Sequence, residues 1–417
     1  MTTATPPRLL VLALNYAPEL TGIGKYVGEM TAWLAERGVE VRVITAPPYY
    51  PAWSVQPPYS SRRYARERVA GVEVWRCPLY VPRRPRALSR LLHLASFALT
   101  SLPVLLWQAL RWRPRHILVI EPPLACAPGA LSAALLCGAR TWLHVQDFEV
   151  DAAFELGMLR PGALQRLALS VERWLLRRFD YVSSISPRML KKLQDKGVAA
   201  ARIGSFPNWV DTELIRPLDG RVNLRAALGI APRVPVLLYS GNMGEKQGLD
   251  LLIDTARGFA GQREALFLLC GDGAMRARLE SSAQGLANVR FIPLQPLSVL
   301  NQLLNLADVH LLPQREGAED LVMPSKLSAI MASGRPVLAT ARAGSDVELA
   351  AREGGLVVEP GDRAAFAAAL MRLLDDPALR QRLGEAGRRH AIGEWDRDAV
   401  LQRMMTILLH QSDTSAA

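Results

Sequence analysis

Cysteine is scarce in this chain of 417 residues: Cys77, Cys126, Cys137 and Cys270 are all it has, and no two lie within five residues of each other. That spacing excludes a CxxC metal clip and a disulfide-dense small scaffold. Charged residues make up only 21%, but half of the chain is hydrophobic, which excludes a disordered polymer. No repeat with a period of 20–50 residues stands out, which excludes a solenoid. The stretch before the first apolar run is short and polar. It lacks a basic segment, a long apolar run and a small-residue cleavage site, so no secretory signal is predicted and a reducing cytoplasm is expected. Lysine is rare too, with six of the fifty basic residues. At roughly 150 residues per domain, the length predicts two or three domains.

The charge that is present is unevenly placed. Net charge is +11, and residues 60–115 hold twelve Arg against Glu67 and Glu73, which is +10 of it. Inside that basic segment, residues 91–110 carry no formal charge, over the length of a membrane span. His93, Ser96, Thr100, Ser101, Pro103 and Gln108 interrupt it. A helix pair buried in a domain or lying in the membrane interface therefore fits better than a true span. Basic flanks beside apolar helices suit an anionic leaflet. A solvated Arg-rich loop is the plainer alternative. Nucleic acid is not expected as a partner, because no reading motif accompanies the charge.

Apolar runs at 9–14, 39–45, 116–120, 141–145 and 181–186 predict strands, with helical patterns at 25–37 and from Pro187 onward between and after them. The alternation pauses between 205 and 235, where Pro207, Pro217, Pro232 and Pro235 cluster, and a linker is expected there. It restarts at 236–240, 265–270, 289–292, 308–312, 336–340 and 356–358, and residues 394–409 read as a last helix. Strand, helix, strand, repeated, predicts an α/β fold of two doubly wound sheets. The expected division is 1–215, 216–393 and a terminal helix and tail from 394. In such sheets ligands sit beyond the carboxyl ends of the strands. Two of them joined by one linker would leave a cleft.

The loops at those strand ends carry anion-binding chemistry. Gly241-Asn-Met-Gly-Glu-Lys246-Gln-Gly248 follows a strand and opens a helix, where free N–H groups and the positive end of the dipole suit phosphate. Lys246 adds a mobile charge, and Lys326 lies at the end of another such loop. Two of six lysines in these places hint at a needed ammonium. Gly22 and Gly24 would let backbone approach a ligand closely, without completing a GxGxxG. Gly271 and Gly273 suggest a tight turn first and a ligand contact second. His144 and Asp147 end a strand. Either they reach a substrate hydroxyl, or they are a packed His and a capping Asp. No second His lies close enough in sequence to His144 to suggest a metal, and Asp396-Arg-Asp398 reads as surface or capping charge rather than a metal site. From Glu316 through Glu319, Asp320, Pro324, Lys326 and Ser328 to Gly334-Arg-Pro336, an acidic cluster and tight turn lead into a helix and then a strand. Acids before a helix start can accept hydrogen bonds from sugar hydroxyls, and the helix terminus can hold phosphate.

That last segment resembles the signature of glycosyltransferase family 4, the large retaining family with the GT-B fold. Ser184-Ile-Ser-Pro187, Pro207-Asn-Trp-Val-Asp211, Tyr239 to Gly248, Cys270-Gly-Asp-Gly273 and the helix after Trp395 extend the resemblance along nearly the whole chain. The opening, Leu14 to Lys25 with Pro47-Pro-Tyr-Tyr-Pro-Ala-Trp53, is similar to the family's colanic-acid biosynthesis branch. The resemblance implies two Rossmann-like domains facing a cleft, the first binding acceptor and the second binding a nucleotide-diphosphate sugar, with the C-terminal helix returning to the first domain. It places the acid–x7–acid motif on Asp320, contacting the donor sugar, and on Ser328, where a neutral hydrogen bond would replace a carboxylate's grip on the ribose. It places the diphosphate-binding pair on Asn242 and Lys246, so Lys246, Lys326 and the helix N-termini would carry the phosphates. Glu316, Pro324, Gly22, Gly24, Gly271 and Gly273 complete the implied donor site.

The implied chemistry is retaining sugar transfer, with growing diphosphate charge stabilised by preorganised N–H groups and ammoniums, and neither metal nor cofactor is expected. On a front-face path the departing phosphate oxygen takes the acceptor's proton. Asp147 and His144 would then position the acceptor, while Lys246 and Asp320 act on the donor. The branch implies an exopolysaccharide precursor on a lipid carrier as acceptor, and the resemblance to it points to GDP-fucose as the donor to consider. The expected location is the cytoplasmic face of the inner membrane. The alternatives are a GT-B-like nucleotide-sugar epimerase and a non-catalytic subunit of a polysaccharide assembly complex.

Overall fold

Two parallel sheets organise the computed structural model, which describes residues 7–83, 87–151, 162–218, 223–315 and 325–413. The chain divides into one unit of Met1–Pro207 with Leu401–Ala417, and a second of Asn208–Val400. The C-terminal helix thus returns to the first unit. The first break falls within the proline-rich stretch from 205 to 235.

The first unit holds β1 (Arg8–Leu12), β2 (Glu40–Thr45), β3 (Ala65–Val69), β4 (Val72–Arg76), β5 (His116–Glu121), β6 (Arg140–Val145), β7 (Tyr181–Ser184) and β8 (Ile203–Ser205). They are ordered β3-β4-β2-β1-β5-β6-β7-β8. All neighbours are parallel except β3 and β4, with Leu12 opposite Ile44 on one side and Val119 on the other. Strands buried on both faces read as continuous apolar runs, which is why β5 and β6 were legible. The β3–β4 hairpin was not. Its edge strand Ala-Arg-Glu-Arg-Val carries charges that blunt an exposed edge. In sequence it looks like a basic loop.

One face of this sheet is covered by the helices Ala87–Arg111, Ala127–Cys137, Ala163–Leu176 and Pro187–Asp195, which share a single core with Leu12, Val119, Val145 and Val182. The segment expected as a helix pair is one continuous helix, Ala87–Arg111, with Pro103 inside it. It is long and apolar enough to cross a membrane. Yet Leu94, Phe97, Leu105 and Ala109 along its length belong to the core, so it lies against the sheet.

The second unit holds β9 (Val236–Ser240), β10 (Leu266–Cys270), β11 (Val289–Ile292), β12 (Val309–Leu312), β13 (Val337–Thr340) and β14 (Gly355–Val358), all parallel. Their order, β11-β10-β9-β12-β13-β14, reverses direction between β9 and β12. Chain order therefore switches there, and the strand ends open a crevice. The last helix expected at 394–409 is the helix Arg397–Asp413, set off from the preceding helix Pro377–Trp395 by a break at Asp396. Asp396 starts the later helix, its carboxylate accepting from Ala399 N at 2.9 Å and from the Thr212 hydroxyl, so it is capping charge as expected.

Candidate active site

At the switch point of the second sheet three loops are stitched together. Met243 N donates to Asp272 O (2.7 Å), Met275 N to Met243 O (2.9 Å) and Arg315 N to Lys246 O (2.9 Å). The approach is close enough to demand glycine. A Cβ on Gly271 would overlap the Gly241 carbonyl oxygen, and one on Gly241 would overlap Cε and Nζ of Lys326. Both also sit at positive φ, 150° and 138°, which side chains with a Cβ avoid. Gly273 packs its Cα against Met243 O and the Asn242 side chain. In sequence, Gly271 and Gly273 read as a tight turn first and a ligand contact second. The structure shows them, with Gly241, fitting loop against loop and loop against lysine.

Lys326, in the first turn of the helix Ser325–Ala332, is held by Tyr239 at the end of β9. Its Nζ donates to Tyr239 Oη at 2.8 Å and lies 4.6 Å from the centre of the tyrosine ring. Tyr239 Oη in turn donates to Asn242 O. Burial pushes the Lys326 pKa down to about 8. Lys246 and Asn242 are exposed at the rim, and so is Arg315, whose backbone is bonded to the Lys246 carbonyl. Arg276 donates from Nη1 to Gly271 O at 2.6 Å and props that turn. Ser328 is 6% exposed, while Ala329 is half-buried. Glu316, Asp320 and Pro324 lie outside the described residues. The arrangement clusters ammonium, guanidinium and loop amides at one strand-end crevice, chemistry suited to an anionic, phosphate-bearing ligand. Tyr239, Arg276 and Arg315 were missed in the sequence. The one signal for Tyr239 was its place at the end of an apolar strand, two residues before a loop glycine.

The corresponding crevice of the first unit lies beyond β1 and β5. Gly22 and Gly24 open the helix Gly22–Glu36, and Gly22 has φ 60°. A Cβ on Gly24 would meet Glu19 Cβ and Oε2, each at 2.7 Å. Glu19 is a buried anchor that the sequence did not reveal. Its Oε1 accepts from Tyr49 N (2.9 Å) and Tyr50 N (3.0 Å), and Oε2 accepts from Asn15 Nδ2 (2.9 Å). Burial raises its pKa, and those bonds oppose the rise. Arg76, only 2% exposed, ties the same loop by donating to Ala17 O (2.6 Å), to Ala46 O (3.0 Å) and to Glu67 (2.6 Å).

His144 ends β6 fully enclosed. Its Nδ1 is 2.9 Å from Ser183 Oγ and its Nε2 is 3.0 Å from Gln146 Nε2, with Phe206 edge-on to the ring. Burial pushes its pKa down to about 3, so the ring is neutral and both nitrogens face protein groups. Of its two readings, this geometry is that of the packed histidine. Asp147 is half-exposed, and Glu149 behind it accepts from Leu124 N at 2.9 Å. Deeper still, Asp151 pairs with Lys192 and Lys196 at 2.9 Å each, and Lys196 with the buried Glu172. The fully buried Glu121 carboxyl has its pKa raised well above the ordinary range, by burial and then by Glu172 and Glu149. Asp147 therefore sits on a braced acidic shelf. Among the described residues no group of three or more His, Cys, Asp or Glu is placed to hold a metal ion.

With this geometry in view, comparison with known proteins is direct. Residues 21–209 match the Glycosyl transferase 4-like domain, and residues 221–390 match Glycosyl transferases group 1. The chain is 44% identical, over 95% of its own length and 98% of the relative's, to the "Putative colanic acid biosynthesis glycosyl transferase WcaI" of Escherichia coli (strain K12). It is 27% identical, over 72% of itself and 84% of the relative, to the GDP-mannose-dependent monoacylated alpha-(1-6)-phosphatidylinositol monomannoside mannosyltransferase of Corynebacterium glutamicum. Among solved structures, sucrose-phosphate synthase from Thermosynechococcus elongatus shares the GT-B fold at TM-score 0.74 and 20% identity, covering 99% of this chain and 100% of that one. Two Rossmann-like sheets and matches across both units leave one conclusion: the chain belongs to glycosyltransferase family 4 and is a glycosyltransferase.

Proposed function

We propose that the enzyme moves a sugar, with retained configuration, from a nucleoside-diphosphate donor to a lipid-linked glycan in exopolysaccharide assembly, working at the cytoplasmic leaflet. The observation that carries the donor half is the crevice beyond β9 and β12, where Lys326, gripped by Tyr239, stands beside the Gly241 loop with Lys246 and Arg315 at its rim. A departing diphosphate gains charge in the transition state. Fixed amides and an ammonium already locked in place stabilise that charge without reorganising. Lys246, exposed at the rim, closes on the phosphates. Asp320 contacts the donor sugar, and Asp147 orients the acceptor hydroxyl, whose proton leaves with the phosphate oxygen. GDP-fucose is the donor to test first, on the likeness to the colanic-acid relative.

The test is incubation with labelled GDP-fucose, other nucleotide sugars and membranes carrying lipid-linked glycan. Label entering organic-extractable lipid is the expected result. Epimerised nucleotide sugar identifies an epimerase instead. Binding without turnover of any donor identifies a non-catalytic subunit.

A further inference from the structure

We infer that the outer surface of the first unit's helix layer docks on an anionic phospholipid bilayer through two helices, Ala87–Arg111 and Ala163–Leu176. The first is apolar on its outward face as well as on the face that enters the core. A surface helix normally turns its polar side chains to water. Here they are directed into the protein. His93 Nδ1 lies 2.6 Å from Tyr80 O, Ser96 Oγ accepts from Tyr80 N (3.0 Å), Thr100 Oγ1 donates to Pro78 O (2.7 Å), and Gln108 Oε1 accepts from Arg42 (2.8 Å). The opposite face carries Leu88, Leu92, Ala95, Leu99, Pro103 and Leu110 at helical spacing, all exposed. Leu88 and Leu99 are each 71% exposed. Charge returns at the ends of this stripe, as Arg90 and Arg111.

The second helix repeats the arrangement with a denser positive rim. Leu175 and Leu176 enter the core shared with the first helix, so both cover the same face of the sheet. Its acid, Glu172, is buried against Lys196. Outward it presents Leu167, Val171 and Trp174, beside exposed Arg166, Arg173 and Arg177. Arg178 lies over the Trp174 ring at 4.7 Å. An exposed tryptophan capped by arginine, next to an aliphatic edge, is the composition of an element lying at the headgroup level. A second copy of this chain is the other conceivable occupant of so large an apolar face. A two-fold contact would set arginine rim against arginine rim, whereas anionic headgroups neutralise both rims. Because the first helix is packed on the sheet along its length, it lies in the interface and does not cross it.

Only the identity of the acceptor that such a leaflet would present rests on the transferase reading, and the docking is tested separately. The full-length protein is sedimented with phosphatidylcholine vesicles, with and without phosphatidylglycerol. The expected result is binding that requires phosphatidylglycerol. Leu99→Asp and Trp174→Asp should each lower the bound fraction by about tenfold, and Arg173→Glu with Arg177→Glu should remove the preference for the anionic lipid. Each variant is checked for unchanged circular dichroism and for an unchanged thermal shift with GDP or UDP. Protein left in the supernatant with both vesicles overturns the proposal. So does binding unaltered by Trp174→Asp, or a dimer in lipid-free buffer that Leu99→Asp dissolves. If no nucleotide shifts the melting temperature while vesicle binding follows this pattern, the donor reading fails and the docking surface stands.

Discussion

Replacing Lys326 by methionine should change both the pH dependence of stability and the proton balance of donor binding. The ammonium normally titrates at 10.5, and burial brings it to about 8 in the folded chain. Between those values the unfolded chain holds a proton that the folded chain lacks, so stability rises with pH across that window. Below pH 8 the folded protein carries the whole cost of burying the charge, ~3 kcal/mol. Tyr239 meets Nζ with a phenol oxygen rather than a carboxylate, so no full negative charge in that contact offsets the cost. A nucleoside diphosphate brought to this crevice supplies the missing charge and restores the ordinary pKa. Binding at about pH 8.5 should therefore take up most of one proton, and above pH 8 affinity should fall by up to ~tenfold per unit. Calorimetry with GDP or UDP in two buffers of different ionisation enthalpy measures the uptake directly. Lys326→Met should abolish it, and should raise the stability of the ligand-free protein at pH 7 by ~1–3 kcal/mol, as apolar replacement of a buried charge commonly does. Equal proton uptake by wild type and variant, or none by a wild type that binds the nucleotide, would refute this account of the site.

Two further substitutions test the parts around it. Lys246→Ala should abolish transfer while leaving the urea midpoint unchanged, because the side chain is exposed and the bond to Arg315 N is made by the backbone carbonyl, which alanine keeps. Wild-type turnover would remove Lys246 from the site. Arg76→Ala should cost ~3–5 kcal/mol in urea unfolding, since it strands Glu67 and two carbonyl acceptors at a position that is 2% exposed.

The fold was legible wherever burial on both faces of a strand left an uninterrupted apolar run. Leu-Leu-Val-Leu in β1 and Leu-Phe-Leu-Leu-Cys in β10 are such runs, and the turn residues between them fixed the alternation with helices. The β3–β4 hairpin escaped because its charges pair across space. Glu73 binds Arg66 at 2.9 Å and Arg42 at 3.6 Å, partners that no local pattern announces. The site was legible in its loops and glycines but not in its supports. Glu19 holds two amides some thirty residues away, and Tyr239 reaches a lysine eighty-seven residues on. Such residues are chosen by what the fold brings to them.

Residues 91–110 show why hydropathy alone left several readings of that segment open. The polar side chains that interrupt the run were weighed as marks against a membrane span. In the folded chain they are the inward face. His93, Ser101 and Gln108 are buried, while Leu92, Leu99 and Leu110 are exposed. A stripe of polar residues every three or four positions is compatible with either orientation, and only the sheet decides which side faces inward. Here Arg42 on β2 and the backbone at Pro78 and Tyr80 bond to Gln108 Oε1, Thr100 Oγ1 and His93 Nδ1, while His93 Nε2 and Gln108 Nε2 are buried with no hydrogen-bond partner among the described residues. The sheet side of this helix is filled by Leu94, Phe97, Leu105 and Ala109 together with those polar groups, and the remaining apolar stripe is left outside.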